Sequence, residues 1–211
     1  MAKQGQINTR EKLLAAATEI FVEKGFRDAT VAEICDLAGA NSAAVNYHFG
    51  SKEALYQEAW RFSFAESIRA HPQDGGVRED APAEERLRGR IKALIERAAD
   101  ENSRDFFISQ MEFANPTGLL EEVMRSEMIP LREETLSLMR ELLGPGAGEQ
   151  QVVFCEMCII SMCFQPMLIQ RIWQRSNHLD PTYTIDDLDG FSDHVVKFAM
   201  AGISAVTGGT H

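Results

Sequence analysis

The chain has 211 residues, 45% hydrophobic and 25% charged, enough for a real core, which excludes a disordered protein. Its formal net charge of -11 argues against a broad basic surface for nucleic acid, yet residues 1–52 balance six cations against six carboxylates. The N-terminus has no apolar signal-peptide core, and four cysteines without an export signal point to free thiols in a reducing cytoplasm.

No stretch alternates at period two for long, so the expected fold class is all-α. Leu13, Leu14, Ala17, Ile20 and Phe21 make one face of a helix from about Thr9 to Lys24, stopped by Gly25. Thr30 has Glu33 three residues on, the capping-box spacing, and opens a second helix that ends at Gly39. Asn41 can cap a third, very short helix, and Ser51 a fourth that carries Ala54, Leu55 and Trp60. Val31, Ile34, Leu37, Val45 and Phe49 read as the core of this small unit.

The polar, breaker-rich "AHPQDGGVREDAP", Ala70 to Pro82, reads as a joint. Beyond it, Leu87, Ile91, Leu94 and Ala98 share a helix face, and a shorter helix holds Phe106, Phe107 and Met111. "NPTGLL" starts a long helix toward Leu143 that Pro130 should kink or split. After the turn "GPGAGEQ", a helix from about Glu149 to Gln174 is apolar almost all round. Within it, Val152 to Ile169 is the best candidate for a membrane span. Glu156, Gln165 and Pro166 interrupt it, and a span needs about 20 clean apolar residues. It therefore reads as a buried helix, central or at a subunit interface, and no membrane partner is expected. "SNHLDPTYTIDD" reads as a loop, and a last helix carries Leu188, Phe191, Val195, Phe198 and Ile203 on one stripe.

The stretch "AGANSAAVNYHFGSKEALY", Ala38 to Tyr56, concentrates the chemistry. Two short helices around a tight Gly turn form a helix-turn-helix, whose second helix must enter a major groove about 12 Å wide. Ser42, Ala43 and Ala44 are small enough to let the backbone approach bases. Asn46 can hydrogen-bond adenine or a phosphate. Tyr47 and His48 can reach phosphate oxygens, and Lys52 with the start of the fourth helix offers a cation and free N–H groups. An αα-corner inside a helical bundle has the same lengths, and the order of residues decides between them.

That order resembles the DNA-binding signature of the TetR family of bacterial transcription regulators. Ala38, Gly39, Tyr47, His48, Phe49, Ser51, Lys52, Glu53 and Leu55 fit its pattern, and "REKLLAAATEIFVEKGFRDATVAEI" resembles its opening helices. The chain departs from the pattern at Ala40, Asn41 and Asn46. "AGANSAAVNYHFGSKE" and "MEFANPTGLLEEVMRSEMIPL" are similar to the CecR-type subgroup.

The resemblance implies an all-helical homodimer with a helix-turn-helix DNA-binding domain over residues 1–52. Residues 53–211 would form a helical ligand-binding and dimerisation domain whose last two helices pair with the partner's. It implies a repressor released by a small-molecule effector. Carried over by position, Thr30, Tyr47, His48 and Lys52 hold phosphates, while Ser42, Ala43, Ala44 and Asn46 face bases. Two-fold symmetry predicts a palindromic double-stranded operator with half-sites ~34 Å apart.

For the effector, Phe106, Phe107, Met111 and Met128 are the adaptable apolar candidates, and Gln110, Glu112 and Gln165 the polar ones. Each could equally be core, and Glu112 or Glu156 could pair with Arg125, Arg171 or another local arginine. Cys155, Cys158 and Cys163 share roughly one helix face, without the companions a zinc site needs. No cofactor, metal cluster or catalytic constellation is expected, so the protein does not read as an enzyme. The alternative is a helical small-molecule sensor that does not bind DNA.

Overall fold

Helix α1 runs Ala2–Asp28 in the computed structural model, which describes residues 2–176 and 184–208. It begins earlier than the Thr9 expected from the apolar stripe, because Ala2, Lys3, Gln4 and Gln6 are good helix formers uninterrupted by proline. Gly25 breaks the helical path at φ 73°, ψ 176°, a conformation open to glycine, and one further turn follows.

Three caps then set three short starts. Thr30 Oγ1 accepts the Glu33 N–H at 3.2 Å while the Glu33 carboxylate accepts the Thr30 N–H at 3.0 Å. The capping box thus closes, and α2 runs Val31–Ala38 to Gly39. Asn41 Oδ1 accepts the Ala44 N–H at 3.0 Å and opens α3, Ser42–His48. Ser51 Oγ accepts the Ala54 N–H at 3.2 Å at the start of α4, Lys52–Ala70.

The remaining helices are α5 (Ala83–Ala99), α6 (Arg104–Ala114), α7 (Glu121–Leu143), α8 (Glu149–Ser176) and α9 (Leu188–Gly208). The described residues hold no strand, and the chain is all-helical as expected. Residues 177–183 of the expected loop lie outside the described residues. Helix α7 carries Pro130 inside it and is not split, which leaves a kink as the other expected outcome.

The chain forms two compact units. The first comprises residues 1–69 and 101–127, so it takes in α4 and α6 beside the first three helices. Its core packs Leu13, Phe21, Ile34, Val45, Leu55 and Trp60, all buried. Leu37, expected in that core, is 51% exposed. At 100° per residue it lies about 110° from the centre of the face that Ile34 and Cys35 bury, so it points away from that face.

Helices α4 and α6 are joined by a buried polar series. Tyr56 Oη donates to the Glu112 carboxylate at 3.2 Å, and Trp60 Nε1 to Ser109 Oγ at 2.9 Å. The Asp105 N–H donates to Ser63 Oγ at 2.8 Å, and Ser67 Oγ to Ser103 Oγ at 3.0 Å. Placing these groups opposite one another satisfies polar atoms that would otherwise be costly to bury.

The second unit comprises residues 70–100 and 128–211. Leu87, Ile91 and Ile95 of α5 meet Met139 and Leu143 of α7, Val152, Ile159 and Cys163 of α8, and Val195 and Ile203 of α9. Of the α9 stripe, Val195 and Ile203 are buried in this core, while Phe198 is 63% exposed. The breaker-rich stretch after α4 folds back on α5, where Gly75 and Gly89 meet backbone to backbone. A Cβ on Gly89 would stand 2.4 Å from the Asp74 carbonyl oxygen. Gly89→Ala is therefore expected to cost about 1–3 kcal/mol by overpacking, read as a lower midpoint in denaturant unfolding. An unchanged midpoint would mean that the loop yields freely.

Candidate nucleic-acid interface

Helix α3 separates its residues by face. Val45 and Phe49, one turn apart, are buried and fix the helix to the first unit. Ser42, Ala43, Asn46 and Tyr47 are exposed, Tyr47 at 72%, while Ala44 and His48 are partly exposed. The Tyr47 and His48 rings meet edge to face at 4.9 Å. The outward surface is thus small side chains first, then an amide, then a phenol and an imidazole, a shape and donor set that fit a groove floor and its phosphate rim.

The flanking groups are less open than their types imply. Thr30 is exposed, but its hydroxyl donates to Glu33 Oε2 at 2.8 Å and accepts the Glu33 N–H. Lys24 Nζ also donates to Glu33. These contacts, the Lys24 hydrogen bond foremost, hold the Glu33 carboxyl down at about 2. A depressed carboxyl pKa contributes stability that is present above its ordinary value of 4.5 and lost as pH falls through about 2. Glu33→Gln should therefore flatten the acid limb of a thermal-stability profile within that window. An unaltered limb would show that the contact does not persist in solution.

Most cations of the first unit are spent within it. Arg10 pairs with Glu58 and lies over the Phe49 ring, Arg27 donates to the Pro116 carbonyl at 3.1 Å, and Arg104 pairs with Glu19. Lys12 is exposed on α1, and Lys52 lies 4.5 Å above the centroid of the Phe26 ring. At the start of α4, Ser51 takes the Ala54 N–H, so the group of free donors expected there is partly filled by the chain itself. Nothing local in the sequence links Phe26 to Lys52.

Five of the seven effector candidates lie on α6 in the first unit. Phe106 and Glu112 are buried, Phe107 and Gln110 half-buried, and Met111 is exposed beside Gly25. Both oxygens of Glu112 are occupied. They accept the Tyr56 hydroxyl, the Thr117 N–H and hydroxyl, and the Gly118 N–H, so this carboxylate ties down the turn after α6. Met128 and Gln165 belong to the second unit and are exposed. A polar groove of about 400 Å³ in that unit is lined by Asp74, Val77, Glu79, Arg86, Arg90, Glu134, Ser137 and Leu138, and by none of the seven. Glu156 is buried and paired bidentately with Arg132 at 2.8 and 2.9 Å, the arginine partner its burial demanded.

Burial raises the Cys35 and Cys155 thiols and pushes Cys163 up to about 12, which disfavours the reactive thiolate. Cys158 is exposed. Among the described residues no group of three His, Cys, Asp or Glu side chains is arranged to hold a metal.

Residues 13–59 match the family of bacterial regulatory proteins, tetR family. Residues 83–203 match the C-terminal domain of HTH-type transcriptional dual regulator CecR. The CecR dual regulator of Shigella flexneri is 31% identical over 157 residues, covering 68% of this chain and 69% of that protein. The HTH-type transcriptional repressor KstR2 of Mycobacterium tuberculosis is 39% identical over 93 residues, 44% of this chain and 46% of that one. The chain thus spans less than half the length of that repressor. A candidate fatty acid metabolism regulator of Clostridium perfringens shares the fold, with a TM-score of 0.70, at 15% identity, over 90% of this chain and 97% of that one.

Proposed function

The chain belongs to the TetR family of bacterial regulatory proteins as a DNA-binding transcriptional regulator, not an enzyme, and from that premise we propose a repressor released by a small-molecule effector. It grips a palindromic operator in the cytoplasm as a homodimer. The observation that carries this reading is the division of α3, with Val45 and Phe49 buried and Ser42, Ala43, Asn46 and Tyr47 facing out. Ser42, Ala43, Ala44 and Asn46 meet base edges, and Tyr47, His48, Lys52 and the N-terminus of α2 at Thr30 meet phosphates. The DNA-binding domain is residues 1–52, and residues 53–211 bind effector and dimerise.

The dimer rests on an apolar stripe that one chain leaves open. On α8, Phe154 and Met157 are 55% and 57% exposed, followed on the same side by Cys158, Ser161 and Gln165. On α9, Phe198 and Val206 are exposed beside the small residues Ala201, Gly202 and Ala205. Large knobs next to small residues suit close packing against a second helix pair. The segment Glu149–Arg171 is also long and apolar enough by composition to cross a membrane. Its Glu156–Arg132 pair and its packing on α5 and α9 favour a protein partner.

Effector release follows if the ligand binds one spacing of the two DNA-binding heads more tightly than the other. Selection from random duplex DNA by the purified protein, at two salt concentrations, tests the reading. A palindrome enriched at both is the expected result. With Lys12 and Lys52 counted as the phosphate contacts of each head, log affinity should fall against log salt with a slope of about -3.6 per dimer. A folded dimer that enriches nothing would favour the sensor without DNA, which the internally paired cations of the head would suit.

A further inference from the structure

We propose that Phe26 is the positioning residue for the phosphate-binding ammonium of Lys52, its ring acting as a perch that holds the cation in place before DNA arrives. This rests on the reading of Lys52 as a phosphate contact. The Lys52 ammonium lies 4.5 Å above the Phe26 ring centroid, within cation–π range. The neighbouring Glu53 carboxylate feels the Lys52 charge, and the contact that faces the ammonium is the Phe26 ring. A lysine stem is rich in rotamers, and restricting it in advance lowers the entropy lost when a phosphate binds. The ammonium keeps its N–H donors while it rests on the ring, because the π face attracts the charge as a whole.

The perch is itself braced. The Phe26 and Tyr56 rings lie 5.0 Å apart, and the Tyr56 hydroxyl donates to the buried Glu112 carboxylate. A Cβ on Gly25, beside Phe26, would stand 2.9 Å from the Met111 side chain, so that side chain lies close to the perch. Phe26 thus stands between the cation and the end of α6, on a part of the first unit that packing already holds.

A double-mutant cycle tests this, read by fluorescence anisotropy on a labelled duplex of random sequence about three helical turns long, at low salt. Random sequence suffices because a phosphate contact carries no base information. Lys52→Met should weaken binding about tenfold. Trifluorophenylalanine at position 26 keeps the shape of the ring and withdraws its electron density. It should weaken binding about two- to five-fold in the native background and leave the Lys52→Met protein unaffected. Phe26→Tyr, which keeps the π face, should bind as the native protein does.

If Lys52→Met binds normally, the phosphate reading of Lys52 fails and the perch with it. If Lys52→Met weakens binding but the fluorinated ring has no effect, or the same effect in both backgrounds, Lys52 binds phosphate without the perch and Phe26 is core. If the fluorinated ring tightens binding, the ring withdraws Lys52 from DNA and the proposal is overturned.

Discussion

Leucine at position 44 is expected to abolish operator recognition while leaving the fold and the dimer intact. Ala44 lies partly exposed on α3, and its N–H is held by the Asn41 cap, so neither core packing nor the cap depends on its methyl group. Leucine is a good helix former, and α3 should persist. A helix with its side chains is about 10–12 Å across and the major groove about 12 Å wide, so there is little room for a larger residue on the entering face. A shift outward by a side chain's depth breaks every base contact together. Affinity should fall to the non-specific level, a loss of about 10³ or more. Gel shift against the selected duplex and a scrambled one measures this, with circular dichroism and sedimentation as controls. Normal operator binding by Ala44→Leu would place the groove-facing surface elsewhere.

The contrast between Ala44 and Lys52 marks what could be read in advance. Caps are local, so Thr30 with Glu33, Asn41 and Ser51 announced the starts of α2, α3 and α4 by spacing alone. The burial of Val45 and Phe49 followed from one helical turn. What depends on distant partners had no such signal. Lys24 and Glu33 both count toward a neutral head by charge, yet their pairing removes both from any surface field. Phe26 under Lys52 and Tyr56 on Glu112 join residues on different helices. Glu112 illustrates the limit best. Its chemistry suits an effector contact, but Thr117 and Gly118, a few residues on, use it to close a turn.

Leu37, expected in the core, and Phe198, on the stripe of a helix expected at a subunit interface, are both exposed. Both lie on a helical period with true core residues, Ile34 and Val195, but off the centre of the buried face. Periodicity gives a stripe, and only packing shows how wide it is. Leu37 is exposed at 51% because its angle on α2 takes it off the buried face. Phe198 instead sits beside exposed Val206, with Phe154 and Met157 of α8 also exposed, which gives its exposure a different meaning.

That meaning supports the second large effect. Glutamate at both 154 and 198 is expected to yield a folded monomer that has lost operator affinity. In one chain the two phenylalanines are 55% and 63% exposed, so replacing them removes little packing from the core of Leu87, Ile91, Val152 and Val195. Across a two-fold interface each glutamate would be buried against apolar surface without a designed partner, which costs several kcal/mol per pair of sites. An isologous interface doubles every substitution. Operator binding should then weaken by about 10² to 10⁴, because each half-site must be filled independently rather than by a tethered second head. Sedimentation equilibrium reads the mass, and titration of the selected duplex reads the affinity. A protein that stays dimeric would move the interface off α8 and α9. A monomer that still binds the whole palindrome tightly would instead separate operator recognition from dimerisation, and the effector could then no longer act by changing the spacing of two heads.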